Sequence, residues 1–346
     1  MIIPDNYNTF MYDKISFIPG TVAPYAEMQY TPLPGLLLVS GLRFDYYPEL
    51  GYNGSILPEF WNYSNVKNRN GISGEPSVRF SARYEIDGRH TVKGSLGTYN
   101  QTPQPIGLST HKTFGNPSAP ASKARQITLG YEWKITDLVY ADIHLYHNNQ
   151  WDVPEYGVIS DPLLMLSGGE IYDNGKGRMY GMELMVRHDQ GGKMFWWASY
   201  SLSRSERYCR NENRWALYDS DQTHNLQVMF SYRLLKEWQV GSRFRLISGN
   251  PYSPISRSVY NTTRRLYIPE YGKKNSERNR PFCGLDIRVD KKFIFDNWMM
   301  SAYLDLQNIT WLVYKSPEMV LYNFDYTKKY EISTPFIPSL GLRFEF

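Results

Sequence analysis

Histidine, cysteine and clustered charge are the first places to look for chemistry, and here none assembles a reaction centre. His144 and His147 are three apart in an alternating stretch. On a strand they point to opposite faces and cannot share a metal. The remaining histidines are scattered, so no metal site or cofactor is expected. Gly168, Gly169, Gly175 and Gly177 form a glycine-rich stretch with no helix pattern after it, which reads as loop rather than phosphate cradle. No serine sits in a nucleophile elbow, and the chain is not expected to be an enzyme. Cys209 and Cys283 are the only cysteines, and the sequence leaves open whether they pair. What remains is binding chemistry. Tyr260, Arg264, Arg265 and Tyr267 lie in a long polar loop, with donors suited to an anionic small molecule; an ordinary solvated loop is the alternative. Arg43, Glu183, Arg187, Arg243, Arg245, Asp286 and Arg288 all fall on the polar side of alternating segments.

The elements that must carry these residues are strands. Aromatics make up 16% of the 346 residues, yet the mean hydropathy is −0.50. A chain this aromatic and this polar must separate the two characters in space. The net charge of +4 is small and the charges are interspersed, so there is no electrostatic case for nucleic acid. No apolar run approaches the roughly 18–20 residues of a spanning helix, so a membrane could be crossed only by strands.

The alternating segments pair through short connectors. Val22–Tyr30 meets Leu36–Tyr46, Ser77–Glu85 meets Thr91–Asn100, and Ala124–Lys134 meets Leu138–His147. Arg178–His188 meets Lys193–Ser203, Gln222–Arg233 meets Trp238–Ser248, Phe282–Lys292 meets Trp298–Thr310, and Ile337–Phe346 stands last. Every second connector is long, polar and rich in Gly and Pro, as in Asn149–Gly177 and Gly249–Pro281. Strict short–long alternation is the signature of a membrane barrel, with tight turns on the periplasmic side and long loops outside. Tyr30, Trp133, Tyr232, Trp238 and Trp298 fall beside the short turns on the apolar face, where an interfacial aromatic girdle belongs.

The expected fold is therefore all-β, an antiparallel transmembrane β-barrel with about thirteen strands present. Single-chain bacterial barrels carry an even number. The odd count, and a start at Met1-Ile2-Ile3-Pro4 without a basic or apolar export segment, imply missing N-terminal strands. Residues 1–346 would form one domain, the C-terminal portion of a barrel, in contact with outer-membrane lipid.

Several segments resemble TonB-dependent receptors of Gram-negative outer membranes. Leu340, Leu342, Phe344 and terminal Phe346 look like the signal read by the barrel-assembly machinery. Leu36…Gly41-Leu42-Arg43-Phe44-Asp45, Leu129-Gly130-Tyr131-Glu132 and Tyr180-Gly181-Met182-Glu183-Leu184 are similar to strands of that family. Tyr218-Asp219…Gln222-Thr223-His224, Ser248-Gly249-Asn250-Pro251-Tyr252 and Leu304-Asp305-Leu306-Gln307-Asn308-Ile309 add to the resemblance. It implies a barrel of about 22 strands around an N-terminal plug, of which this chain would supply the last part. It implies TonB-energised uptake of a scarce small-molecule ligand, such as a ferric siderophore, cobalamin or an oligosaccharide, with TonB acting through a plug this chain lacks. The polar-side charges would then line the lumen and contact the plug. A passive porin or a loop-displaying adhesin is the alternative.

Overall fold

The computed structural model describes residues 22–47, 73–101, 121–156, 171–189, 192–234, 236–263, 265–317 and 319–346. Most of them form one antiparallel sheet whose strands are ordered across it as they are along the chain, and three two-stranded hairpins or bridges stand apart from it. It begins with β1 (Tyr25–Leu33), β2 (Leu36–Tyr47), β3 (Ser73–Glu85), β4 (His90–Gln101) and β5 (Ser122–Lys134). It continues through β6 (Val139–Tyr156), β7 (Ile171–His188) and β8 (Met194–Cys209). A short β9 (Arg214–Leu217) folds back on β8, and the main path resumes with β10 (His224–Arg233) and β11 (Trp238–Ile247). The connection after β11 holds β12 (Pro251–Tyr252), β13 (Ile255–Asn261), β14 (Leu266–Tyr271) and β15 (Glu277–Arg278). The path ends with β16 (Phe282–Ile294), β17 (Met299–Gln307) and β20 (Ile337–Glu345), with the hairpin of β18 (Met319–Tyr322) and β19 (Lys329–Ile332) between the last two. The path thus has thirteen strands, all those expected from alternation. β1 and β20 each pair on one side only, so among the described residues the sheet does not close.

The short turns owe their tightness to identifiable groups. Gly35 has φ +83° and accepts a hydrogen bond from the Glu85 amide at 2.8 Å; a Cβ there would lie 2.7 Å from the Glu85 carbonyl. Asp87 Oδ1 accepts from the amides of Arg89 (2.7 Å) and His90 (2.9 Å), and Thr136 Oγ1 from those of Leu138 (3.2 Å) and Val139 (3.0 Å). Both side chains replace backbone partners lost where the ladder ends.

Burial is inverted relative to a soluble protein. Among the described residues the only buried apolar side chains are Ala121 and Ala216, whereas buried polar groups include Asp45, Glu206, Asp221 and Asp286. Leu42, Leu129, Leu340 and Leu342 are each more than half exposed, and all lie on one face. So continuous an exposed apolar face is what a membrane-spanning barrel presents to hydrocarbon. The rim aromatics lie on that face beside the short turns: Trp133 stacks on His90, and Trp298 on Phe295 and Phe346. No described helix is long and apolar enough to cross a membrane.

The strands outrun the expected segments. β6 and β7 have 18 residues each, and their pairing continues to Tyr156 and Ile171 through a bulge where Asp152 has φ +55°. Asn148-Asn149-Gln150 reads as loop chemistry, but an aligned pair keeps adding hydrogen bonds outside the membrane, where side-chain polarity is no penalty. The loops also contain ordered hairpins where the sequence predicts irregular chain. Cys209 and Cys283 are both free.

Candidate functional site

Register places Arg43, Glu183, Arg187, Arg243, Arg245, Asp286 and Arg288 on one face of the sheet, opposite the apolar one. A hollow on this face is lined by Arg83, Glu132, Asp142 and Arg187. Its charges are cross-linked. Arg43 meets Asp45 at 2.8 Å, Arg243 meets Asp286 at 2.6 Å with Arg245 at 3.8 Å, and Arg288 meets Asp290 at 2.8 Å while lying 4.0 Å above the Tyr303 ring. Arg187 reaches Asp189 at 3.4 Å and lies over Tyr140. Glu183 stands opposite His144 and Ser201. Nearer the short turns, Lys93 bridges Glu132 and Asp142, and Arg83 reaches Glu132 at 3.5 Å. Paired in this way, the charges of this face largely neutralise one another.

The long connections converge at the other end. Asp221, fully buried, accepts from the Ser205 amide (2.6 Å), Thr223 Oγ1 (3.0 Å) and the Arg278 guanidinium. Arg278 also donates to the carbonyls of Asp221 (3.0 Å) and Gly249 (3.1 Å) and to Thr223 Oγ1 (2.8 Å). This clasp ties the β8–β10 connection to the β11–β16 connection. Gly249 is part of it, since a Cβ there would lie 1.9 Å from the Asn279 carbonyl. Beside it Asn275 donates to the Leu217 carbonyl (2.7 Å) and Asp219 (2.6 Å), and Lys274 Nζ reaches Asp219 at 2.8 Å. Burial works to raise the Asp219 carboxyl, but Asn275 and Lys274 outweigh it and hold it below the usual range. The same balance holds for Glu212, through burial, the Lys274 amide and Arg214.

Above the clasp stand two hairpins. Tyr260 and Tyr267 are directly paired across β13 and β14, with ring centroids 5.1 Å apart. Phe324, 80% exposed, meets Tyr267 edge-on at 5.8 Å, and Ser258 Oγ donates to the Asp325 carbonyl at 2.5 Å, joining this hairpin to β18–β19. Lys329 lies 4.4 Å over the Tyr252 ring, and Arg280 meets Glu331 at 2.6 Å. The Tyr252 hydroxyl donates to Glu277 at 2.6 Å, which pushes its pKa up to about 12. Of the four loop residues expected to bind, the structure thus joins Tyr260 to Tyr267. Arg265 sits in the hairpin turn with φ +54°, and Arg264 lies outside the described residues. Phe324 and the Asp221–Arg278 clasp were missed. Nothing in the sequence separates Phe324 from other loop aromatics or marks for Asp221 a partner 57 residues away. No group of three or more metal-ligating side chains occurs among the described residues.

Residues 4–309 match the model of the family described as TonB dependent receptor-like, beta-barrel. No curated protein matches the chain. Solved structures match its fold. The ferric citrate transporter FecA in its unliganded form superposes with a TM-score of 0.65 at 15% identity, over 94% of this chain and 45% of that one. The pyoverdine receptor FpvA from Pseudomonas aeruginosa PAO1, bound to pyoverdine, gives 0.65 at 14%, over 96% and 43%. The ferric-catecholate import receptor Fiu from K12 E. coli gives 0.62 at 14%, over 93% and 44%. The chain spans less than half the length of these structures. With its strand order, its inverted burial and a family match over most of its length, the chain belongs to the TonB-dependent receptor β-barrel family.

Proposed function

We propose that this chain is the ligand-gathering half of an outer-membrane uptake receptor. A scarce small molecule is captured at the loop face and passed inward along the charged lumen wall. TonB, acting through a plug domain, supplies the energy, so the barrel itself needs no catalytic residue. The observation that carries this reading is the coupling of the β13–β14 and β18–β19 hairpins. They present Tyr260, Tyr267 and Phe324 together at the end opposite the short turns. Rigid aromatics bind ring-bearing or flat ligands at small entropic cost, and Arg265 at the hairpin tip favours an anionic one. A ferric siderophore fits both features. The inward face, with Arg43, Glu183, Arg187, Arg243, Arg245, Asp286 and Arg288, would contact the plug. Leu342, Phe344 and Phe346 would be read during assembly.

The test is growth of an iron-starved Gram-negative host, lacking its own receptors, on a panel of ferric chelates while it makes the full-length protein. Uptake of at least one chelate is expected, abolished by loss of TonB and weakened about tenfold or more in affinity by Tyr260→Ala with Phe324→Ala. Uptake that persists without TonB would point instead to passive passage.

A further inference from the structure

Among the described residues the apolar face changes character at its upper end over β5–β8, and the change has the geometry of a lipid-headgroup site. On β7 this face carries His188, Val186, Leu184, Met182 and Tyr180, then Arg178 and Lys176. On β8 it runs from Trp196 through Tyr200 and Leu202 to Arg204 and Glu206, and on β5 from Trp133 through Leu129 and Ile127 to Arg125. Arg125 and Arg204 lie eight residues beyond the rim aromatics Trp133 and Trp196, and Arg178 lies ten beyond His188. At a rise of about 3.4 Å per residue and a tilt of about 40°, that is roughly 21–26 Å above the lower rim, the height of the apolar band. The cations therefore emerge where hydrocarbon gives way to headgroups. At corresponding heights β3, β4, β10 and β11 present Pro76, Asn100, His224 and Ser248.

The cationic set is also organised. Glu206, 3% exposed, holds Arg178 at 2.5 Å and Arg204 at 2.8 Å, and the Arg178 guanidinium lies 4.4 Å above the Trp215 ring. One buried carboxylate thus fixes two guanidinium groups whose other donors remain available. Arg125 and Lys176 are exposed and make no ion pair among the described residues. Four cations against one acid leave a strong local excess of positive charge at the lipid boundary.

We propose that Arg125, Lys176, Arg178 and Arg204 bind the phosphate groups of an outer-leaflet lipid, docking a phosphorylated glycolipid against β5–β8. The guanidinium forks suit phosphate oxygens, and the flanking Tyr180 and Leu202 offer an apolar surface to the acyl chains. The site rests on the orientation given above, with the short turns periplasmic.

The test places the full-length receptor in nanodiscs of neutral phospholipid doped with a bis-phosphorylated glycolipid or its dephosphorylated form. Retained lipid is measured by native mass spectrometry. The expected result is preferential retention of the phosphorylated form, unaffected by millimolar inorganic phosphate. In Arg125→Ser/Lys176→Ser, which leaves the Glu206 cluster intact, retention should fall about tenfold or more, at roughly fivefold per cation. Arg125→Lys/Lys176→Arg should restore it. Equal retention of the two lipids by the unaltered protein would overturn the proposal, and that arm stands even if the double variant fails to fold. Full competition by free phosphate would reduce the site to one for the ion alone and overturn the lipid assignment. The assay uses neither transported ligand nor TonB, so its failure would leave the uptake reading intact.

Discussion

Changing Leu129 to Arg tests the membrane facing of the sheet at its most sensitive point. Leu129 lies on β5 midway between Trp133 at the lower rim and Arg125 at the upper one, four residues from each. At about 3.4 Å per residue and a tilt near 40°, it is roughly 10 Å from either boundary, near the bilayer midplane. Its register partners are Gly94 and Leu145, and it is 59% exposed. Replacing it therefore removes little protein packing, and the cost is almost wholly that of putting a guanidinium in hydrocarbon. For a barrel this is about 2–4 kcal/mol at the midplane, a roughly 30- to 900-fold loss in the folding equilibrium. The adjacent Thr128 is the control. It faces the lumen between Ser95 and Tyr146, where Thr128→Arg meets polar neighbours and should cost about 1 kcal/mol or less. The assay is urea-induced unfolding of the full-length protein in lipid vesicles, followed by heat-modifiable migration and tryptophan fluorescence. Equal costs for the two variants, or a larger one for Thr128→Arg, would refute the facing assignment for β5. The registers connecting all thirteen strands would then be wrong with it.

Asp221→Ala should open the loop clasp by leaving the Arg278 guanidinium without its carboxylate, a local cost of about 3 kcal/mol. Amide exchange across residues 248–281 should accelerate while the strands below stay protected; unchanged exchange would show that the clasp does not order the loop. Acid should loosen the same region. The Asp219 and Glu212 carboxyls are held below their ordinary values, so their contribution is present above the ordinary carboxylate range and is lost as pH falls through the depressed folded values. Loop protection, taken as exchange relative to the intrinsic rate at each pH, should thus be flat at pH 5 and above and fall below about pH 4; a fall centred near neutrality would assign the effect to other groups. In a background with Cys209 and Cys283 changed to Ser, a cysteine at Thr262 should react with an impermeant thiol reagent on intact cells and one at Glu237 should not. The reverse pattern would invert the orientation.

The strands were legible because a barrel writes two constraints into every one of them. Lipid fixes which alternate residues are apolar, and the bilayer fixes about how many are needed. Leu340, Leu342 and Phe344 against Gly341, Arg343 and Glu345 satisfy both, and β20 lies where they predict. The upper boundaries were not legible. Above the membrane neither constraint acts, and the β6–β7 ladder to Tyr156 and Ile171 is held by backbone pairing, which side-chain type records poorly.

The loop face was legible only as fragments, and the fragments acquire meaning from contacts across long sequence separations. Asn308 ends the Leu304–Asn308 segment with φ +55°, its amide donating to Asp286 Oδ1 (2.8 Å) and its side chain to the Thr334 carbonyl (2.6 Å). It is the point where β17 leaves the sheet, and Asp286, which also receives Arg243, is what holds it there. In the same way Asp221 and Thr223 from one segment close on Arg278 beside Gly249 from another. Each motif is one half of a contact, so read singly it is a few polar residues before a strand. The exposed aromatics Tyr260 and Phe324 meet one another only through Tyr267. Each leans on the Tyr267 ring and keeps a large exposed surface. A loop face built this way can vary its exposed aromatics without disturbing its clasp. That separation lets the uptake prediction and the clasp prediction be tested apart: Tyr260→Ala should leave loop exchange unchanged, while Asp221→Ala should change it at once.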